Sequence, residues 1–456
     1  MRQVLVIHGW SDDSASFKPL GEKLRSAGFD ALDVWLADYV SMDDDVTVTD
    51  ASKRMEEVVG ALVAAGKISV PFDMVVHSTG GLVARNWLVM FDCARKARWL
   101  KRLVMLAPAN YGSALAAKGK SFIGRVTKGI SNGFSTGTQM LNALELGSPF
   151  QWGLALSDVL STEGLAETGA KPAYGEDACM PFVLSGIRGY DGILMKIVNE
   201  DGADGTVRAA AANLSAYGAT LDFSVDDADP TFSAWTPRDA LAPYAYRALI
   251  DENHSTIVRT LGADTFALIV QALQCKDGAG YRAIQQEWAA ATDALEIADD
   301  SARHRFFMLN TFVVDDLGNP VDDHFIEFFG PDHESNSAPM LFFHDKVIRD
   351  VHQNLVQKAC RCFYLDRTAL MGGFYERIAG NAKKELLLSI TAAPPGSNTR
   401  YFRSTEAGAD GSFRLHLFDD KNPEERWLKR YSTHFLKIII PRRPNANVFR
   451  LTQLTA

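Results

Sequence analysis

The chain has 456 residues, 47% of them hydrophobic and 23% charged, and a formal net charge of −9. This is ordinary globular composition, in a chain long enough to bury a large core without disulfide or metal staples. The acidic balance argues against a general nucleic-acid binder, which carries a basic surface.

At roughly 150 residues per domain, two or three domains are expected. Strand and helix signals alternate along the first 275 residues. Val4 to Ile7 is a short apolar run ending in His8-Gly9. Phe17 to Ala27 has helical spacing and stops at Gly28. Ala31 to Leu36 is a second strand candidate, and Asp50 is placed to cap a helix from Ala51 to Ala65, before Gly66. Asp73 to His77 reads as a strand, Gly80 to Asp92 as a helix and Leu103 to Ala107 as a strand. Between Asn110 and Ala173 the rhythm breaks into short helical segments with apolar clusters such as Phe122-Ile123, Met140-Leu141 and Phe150-Gln151-Trp152. The sheet is expected to resume at Pro181 to Leu184 and Thr220 to Val225, and a helix from Thr256 to Gln274 to close the unit. Such alternation implies a mainly parallel sheet covered on both faces.

Residues 276–304 read as a polar helical connector. From Arg305 onward, Phe306 to Val314, Phe325 to Phe329, Cys360 to Leu365, Leu386 to Thr391, Phe413 to Phe418 and His434 to Ile440 are strand-like. Turn signals such as Leu317-Gly318-Asn319-Pro320 separate them, and a β-sandwich over 305–456 is the expectation. The five cysteines, Cys93, Cys179, Cys275, Cys360 and Cys362, show no zinc-type pair and read as reduced thiols, mostly buried. No apolar run reaches the ~20 residues of a membrane-spanning helix, and the first residues read as a core strand with no cleavable leader. The expectation is a cytoplasmic protein, or one exported without a signal peptide.

The chemistry centres on Met74-Val75-Val76-His77-Ser78-Thr79-Gly80-Gly81. A serine between an apolar strand and a helix is the context of a nucleophile elbow, a sharp turn that lifts the hydroxyl off the sheet. Gly80 gives the clearance needed two residues after the serine; Val76 departs from the small residue usual two before it. A serine becomes nucleophilic only with a base in reach and an acid to orient the base. In this strand–helix context the acid and the histidine follow in that order, and the chain supplies Asp204 in Asp204-Gly205-Thr206-Val207, then His254. Asp201 is the alternative acid and Asp191 a weaker one. An oxyanion hole is expected from the backbone N–H of Thr79, at the start of the helix, and of Trp10, in the loop after the first strand.

Together, Ile7-His8-Gly9-Trp10, Val76-His77-Ser78-Thr79-Gly80-Gly81, Asp204-Gly205 and His254-Ser255 resemble the bacterial lipase and GPI inositol-deacylase-like group of α/β-hydrolases. The resemblance covers about residues 1–275, with a cap insertion at about 110–175. It implies an α/β-hydrolase fold and a serine esterase or lipase acting on small-molecule or lipid esters with no metal or organic cofactor. Two versions stand beside it: a phospholipase acting as a secretion-system effector, and a non-catalytic binding protein with a relic hydrolase domain. Acyl transfer to an alcohol would use the same groups. The partner of the β-rich part is left open.

Other signals read as structural. His8 is expected to fix the oxyanion loop and His77 to pack. Lys118-Gly119-Lys120-Ser121 lacks the glycine at position 114 that a phosphate loop requires. Lys118, Lys120, Arg125 and Lys128 form a basic cluster suited to a membrane surface or, more plainly, to a solvated helix face. His324, His333, His344 and His352 lack metal-ligand spacing, and Asp315-Asp316, Asp322-Asp323 and Asp332 read as turn acids.

Overall fold

The computed structural model describes residues 3–10, 12–29, 34–91, 93–117, 137–162, 172–191, 199–226, 230–296, 304–330, 338–377, 386–394, 396–401, 411–415 and 427–453. The basic cluster at 118–128, the Phe122-Ile123 cluster, Asp332 and His333 lie outside these residues. The chain forms two units. The first comprises residues 1–217, 236–308 and 430–433, the second 218–235, 309–429 and 434–456.

The first unit is built on six strands, β1 (Val4–Ile7), β2 (Val34–Ala37), β3 (Phe72–His77), β4 (Leu100–Leu106), β5 (Met180–Gly186) and β6 (Ala245–Leu249). Their spatial order is β6-β5-β4-β3-β1-β2 and every neighbouring pair is parallel. β1, β3 and β5 are buried at every residue, as strands of a parallel sheet covered on both faces must be. The helices follow from local chemistry. α1 (Lys18–Ser26) continues a 3-10 turn at Ser14–Phe17 capped by the Asp13 carboxylate. α2 (Val48–Ala64) starts three residues earlier than the sequence implied. Thr47 is its cap, and Asp50 is the third residue of a reciprocal capping box. α3 (Gly80–Met90) follows the elbow and is buried from Gly80 to Leu88.

Three expectations need correction. The helix read from Thr256 to Gln274 is two helices, Thr256–Arg259 and Ala263–Gln274. Leu261 takes a left-handed φ of +43° and Gly262 caps the second helix, so the chain changes direction between them. The stretch read as a polar helical connector does hold a helix, Gly278–Asp293, but one face of it is apolar and buries Tyr281, Ile284 and Trp288. The Tyr281 hydroxyl donates to the Pro181 carbonyl at 2.8 Å and accepts the Ala245 N–H at 2.9 Å, pinning the helix to β5 and β6. Thr220 to Val225 is not a strand of this sheet. The strand there, Ala216–Asp222, pairs antiparallel with Thr231–Ala234 and enters the second unit's sheet. The Trp235 ring lies over Gly218, where a Cβ would come within 2.0 Å of it. Half-exposed alternation and a glycine under an indole suit a hairpin, not a strand covered on both faces.

The second unit contains a six-stranded sheet in the order Ile348–Gln353, Cys360–Asp366, Phe306–Asp315, Thr433–Ile440, Ala216–Asp222, Thr231–Ala234. A three-stranded antiparallel sheet joins His324–Phe329, Leu386–Ala392 and Gly411–Leu415. Phe328 of the smaller sheet meets Phe363 of the larger edge-to-face at 5.3 Å, so apolar faces of the two sheets meet. Cys360 and Cys362 are both buried, as residues two apart on one strand face should be. Cys179 and Cys275 are buried as well, and Cys93 is half-buried. The Asp315 carboxylate accepts the N–H groups of Leu317 and Asn319 at 3.0 and 2.8 Å and pairs with Arg442 at 3.1 Å, which makes it a turn acid.

A Cβ at Gly80 would sit 2.6 Å from the His8 carbonyl oxygen and 2.9 Å from that of Ile7, both backbone, whereas one at Gly153, mid-helix, meets nothing within 4 Å. Gly80→Ala should therefore destabilise the chain by about 1–3 kcal/mol, while Gly153→Ala should be neutral or mildly stabilising; thermal melts check both. His324 donates from Nδ1 to the Val321 carbonyl at 2.8 Å, and burial, with Arg361 adding to it, holds its imidazole down to about 4. The unfolded chain takes up this proton near pH 6.5, so the stability His324 contributes is present above that pH and is lost as pH falls toward about 4. Melting temperature should drop less over this window in His324→Asn, which keeps a donor for Val321; equal pH slopes would refute the account.

Candidate active site

Ser78 sits at the carboxyl end of β3, where the chain turns sharply into α3. Its φ is +53°, in the left-handed region that non-glycine residues rarely occupy. Backbone bonds hold this conformation: Ser78 donates its N–H to Leu106 at 3.1 Å, and its carbonyl accepts from Gly81 and Ala109 at 3.0 and 3.3 Å. Gly9, in the loop after β1, passes so close that a Cβ there would fall 2.7 Å from the Ser78 Cβ. Val76 fits without a small side chain, fully buried and in register with Ile7 and Met105. The hydroxyl is not a helix cap. Thr79 holds the N-cap position, and Ser78 Oγ lies 3.0 Å from His254 Nε2.

Asp204 lies in the stretch after β5 and His254 in the loop after β6, so all three side chains arise beyond carboxyl ends of parallel strands. His254 Nδ1 is 2.8 Å from Asp204 Oδ2. The other carboxylate oxygen, Oδ1, accepts the N–H groups of Thr206 and Val207 at 2.9 and 2.7 Å. Gly205, at φ +93°, lets this turn close beneath the Tyr190 ring. Since the carboxylate can only accept, His254 carries its proton on Nδ1 and presents the Nε2 lone pair to the serine hydroxyl. Asp204 is fully buried, Ser78 and His254 nearly so.

The structure thus brings Ser78, His254 and Asp204 together. The alternatives lie elsewhere: Asp201 is half-buried in the turn before Asp204, and Asp191 is exposed and paired with Arg188 at 2.5 Å, which lowers its carboxyl below the usual range. Thr79 is the N-cap of α3, at the positive end of the helix dipole. Its hydroxyl is buried with no hydrogen-bond partner, and so is the Trp10 indole nitrogen. His8 fixes the loop between them. Its Nδ1 donates to the Gly9 carbonyl at 2.7 Å, its Nε2 accepts from the Tyr39 N–H at 3.2 Å, and its ring stacks on Tyr39 at 4.6 Å.

Two features escaped the sequence. His77 does more than pack: its Nε2–H donates to the His254 carbonyl at 3.0 Å. Its partner is a backbone atom 177 residues away, which no residue pattern reveals. The second is a buried ion pair. Arg85 of α3 forks onto Asp158, with Nε and Nη2 at 2.8 and 3.0 Å from its two oxygens, and also donates to the Asn110 carbonyl at 2.9 Å. Asp158 ends the helix Pro149–Asp158 and accepts the Tyr174 hydroxyl at 3.0 Å. Where described, the insertion after β4 therefore packs down on the elbow helix, burying Met140, Leu141, Leu144, Trp152 and Leu154.

No protein-family model matches the chain, and no curated protein matches it. Among solved structures it is similar to phospholipase PlaB from Legionella pneumophila in complex with thio-NAD, at 24% identity and a TM-score of 0.81, over 100% of this chain and 97% of that one. The structure of PlaB alone matches at the same identity and score, over 99% and 96% of the two chains. The mature lipase BlEst2 from Bacillus licheniformis, at 14% identity and a TM-score of 0.39 over 59% of this chain and 91% of that one, is too distant to carry an argument. With the sheet order and elbow described above, this likeness shows that the chain has the α/β-hydrolase fold, and further antiparallel sheets accompany it here.

Proposed function

We propose that the chain is a serine hydrolase of carboxylic esters, lipid esters above all, working through an acyl-enzyme on Ser78. The reading is carried by one observation: Ser78 Oγ, the His254 imidazole and the Asp204 carboxylate lie in hydrogen-bond sequence at 3.0 and 2.8 Å. In this reading Ser78 attacks the ester carbonyl while His254 Nε2 takes its proton. Asp204 keeps the imidazole in the productive tautomer and stabilises the imidazolium. The N–H groups of Trp10 and Thr79 receive the charge that develops on the carbonyl oxygen; one such donor is worth roughly 3–4 kcal/mol in a comparable enzyme. The imidazolium returns its proton to the leaving alcohol, and water, activated by the same histidine, releases the acid.

A phospholipid is the favoured ester. The support is likeness along the whole chain to the Legionella phospholipase. The relic reading has less support, since a chain released from catalysis has no reason to keep three buried polar side chains aligned and an elbow serine at positive φ.

A fluorophosphonate probe should label the wild-type protein and not Ser78→Ala, and Ser78→Ala should lose ester hydrolysis by a factor of about 10⁴ or more. Asp204→Asn should lower kcat by about 10⁴, with Asp201→Asn within a few-fold of wild type; the reverse order would assign the acid to Asp201. Release of fatty acid from phosphatidylcholine or phosphatidylglycerol vesicles checks the substrate class. Turnover of short soluble esters with none of any lipid would remove the lipase reading.

A further inference from the structure

We infer that His77 is a positioning residue, holding the backbone of His254 so that its imidazole stays in line with Ser78. This rests on the serine-hydrolase reading above. His77 is the last residue of β3 and immediately precedes the nucleophile. Its Nε2–H donates to the His254 carbonyl at 3.0 Å, and the two rings lie 4.8 Å apart, inclined by 45°. On the other side, the His254 N–H donates to the Asp204 carbonyl at 2.9 Å. Both backbone polar groups of the base are therefore held, one by the acid's own residue and one by the nucleophile's neighbour. A loop residue that must hold an imidazole in line is fixed relative to both partners through its main chain.

The chemistry of His77 fits this task and no plainer one. It is buried, and Phe17 packs on it with ring centroids 5.8 Å apart. Its Nδ1 has no hydrogen-bond partner. A buried polar ring with one nitrogen unmatched is costly, and a phenylalanine would fill the same apolar contacts without that cost. What only a donor at this reach supplies is the bond to the carbonyl of the base. Burial pushes the His77 imidazole well below its ordinary range. The groups facing it, His254, Arg259 and His8, push the same way, and only the bond to the His254 carbonyl opposes them. His77 thus stays neutral with its proton on Nε2, and places no charge against the imidazolium that forms on His254 during turnover.

The test uses the full chain, with His77→Phe, which keeps the ring and removes the donor, and His77→Gln, whose amide nitrogen reaches about as far as Nε2. A displacement of about an ångström in a catalytic group costs on the order of 10²-fold. His77→Phe should therefore lower kcat by about that factor with KM nearly unchanged, and His77→Gln should recover most of it. Proton NMR of the wild type should show a downfield resonance from the His254–Asp204 bond that broadens or disappears in His77→Phe and persists in His77→Gln. Wild-type kcat and an unchanged downfield resonance in His77→Phe would overturn the inference. Should the phenylalanine variant melt early, His77→Asn replaces it, because its donor falls short of the carbonyl; equal kcat in the Asn and Gln variants would overturn the inference as well. Failure of the serine-hydrolase reading shows separately, as wild-type protein that the fluorophosphonate does not label. The downfield resonance still reads the His77 contact in that case.

Discussion

The bond between Ser78 and His254 joins residues 176 apart in the chain, and the elbow and the parallel strands together bring its two ends within 3.0 Å. Parallel strands deliver it. Each of β3, β5 and β6 runs the same way, so the segments that follow them emerge at one edge of the sheet. There, side chains from distant parts of the sequence can meet without long searching loops. The elbow supplies the rest. A serine forced to positive φ is held by backbone bonds to β4 and to the loop after it, and glycines at 9 and 80 clear the space for α3 to approach β1. Strain at one residue is tolerated because its surroundings over-determine it.

A second layer of order lies beneath the elbow helix. Arg85 and Asp158 are both fully buried, and each is satisfied several times over, by each other, by Asn110 and by Tyr174. A buried ion pair adds little net stability against a well-packed apolar alternative, because desolvation offsets most of the attraction. Its value here is directional. A forked guanidinium accepts a carboxylate in few geometries, so the pair sets where the helix Pro149–Asp158 lies on α3. Asn110 carries the network on, through its side-chain donation to the Ala212 carbonyl at 2.7 Å.

Much of this was legible beforehand, for identifiable reasons. Strands β1, β3, β4 and β5 announce themselves as short apolar runs bounded by glycine or polar residues, and Ser78, Asp204 and His254 by their types and order. Strand β6 leaves no such signal, because Ala245–Leu249 carries tyrosine and arginine and lacks the apolar run of its neighbours. Ala216–Asp222 was assigned to the wrong sheet because its partner strands, Thr231–Ala234 and Thr433–Ile440, are fixed by contacts such as Trp235 over Gly218 that composition does not encode. Asp50 looks like a cap in sequence and is the third residue of a capping box in the structure, because both positions favour the same side chain. The sequence shows only packing for His77, because its partner is a carbonyl, and carbonyls are identical at every position.

The hairpin between 216 and 235 has an architectural consequence. It departs from the chain between Asp204 and His254, takes its place beside Thr433–Ile440 in the second unit's sheet, and the chain then returns to form β6. The two units are therefore interleaved along the sequence. Neither unit is one unbroken stretch of chain, so no single pair of boundaries excises the antiparallel unit and leaves the sequence of the parallel-sheet unit intact.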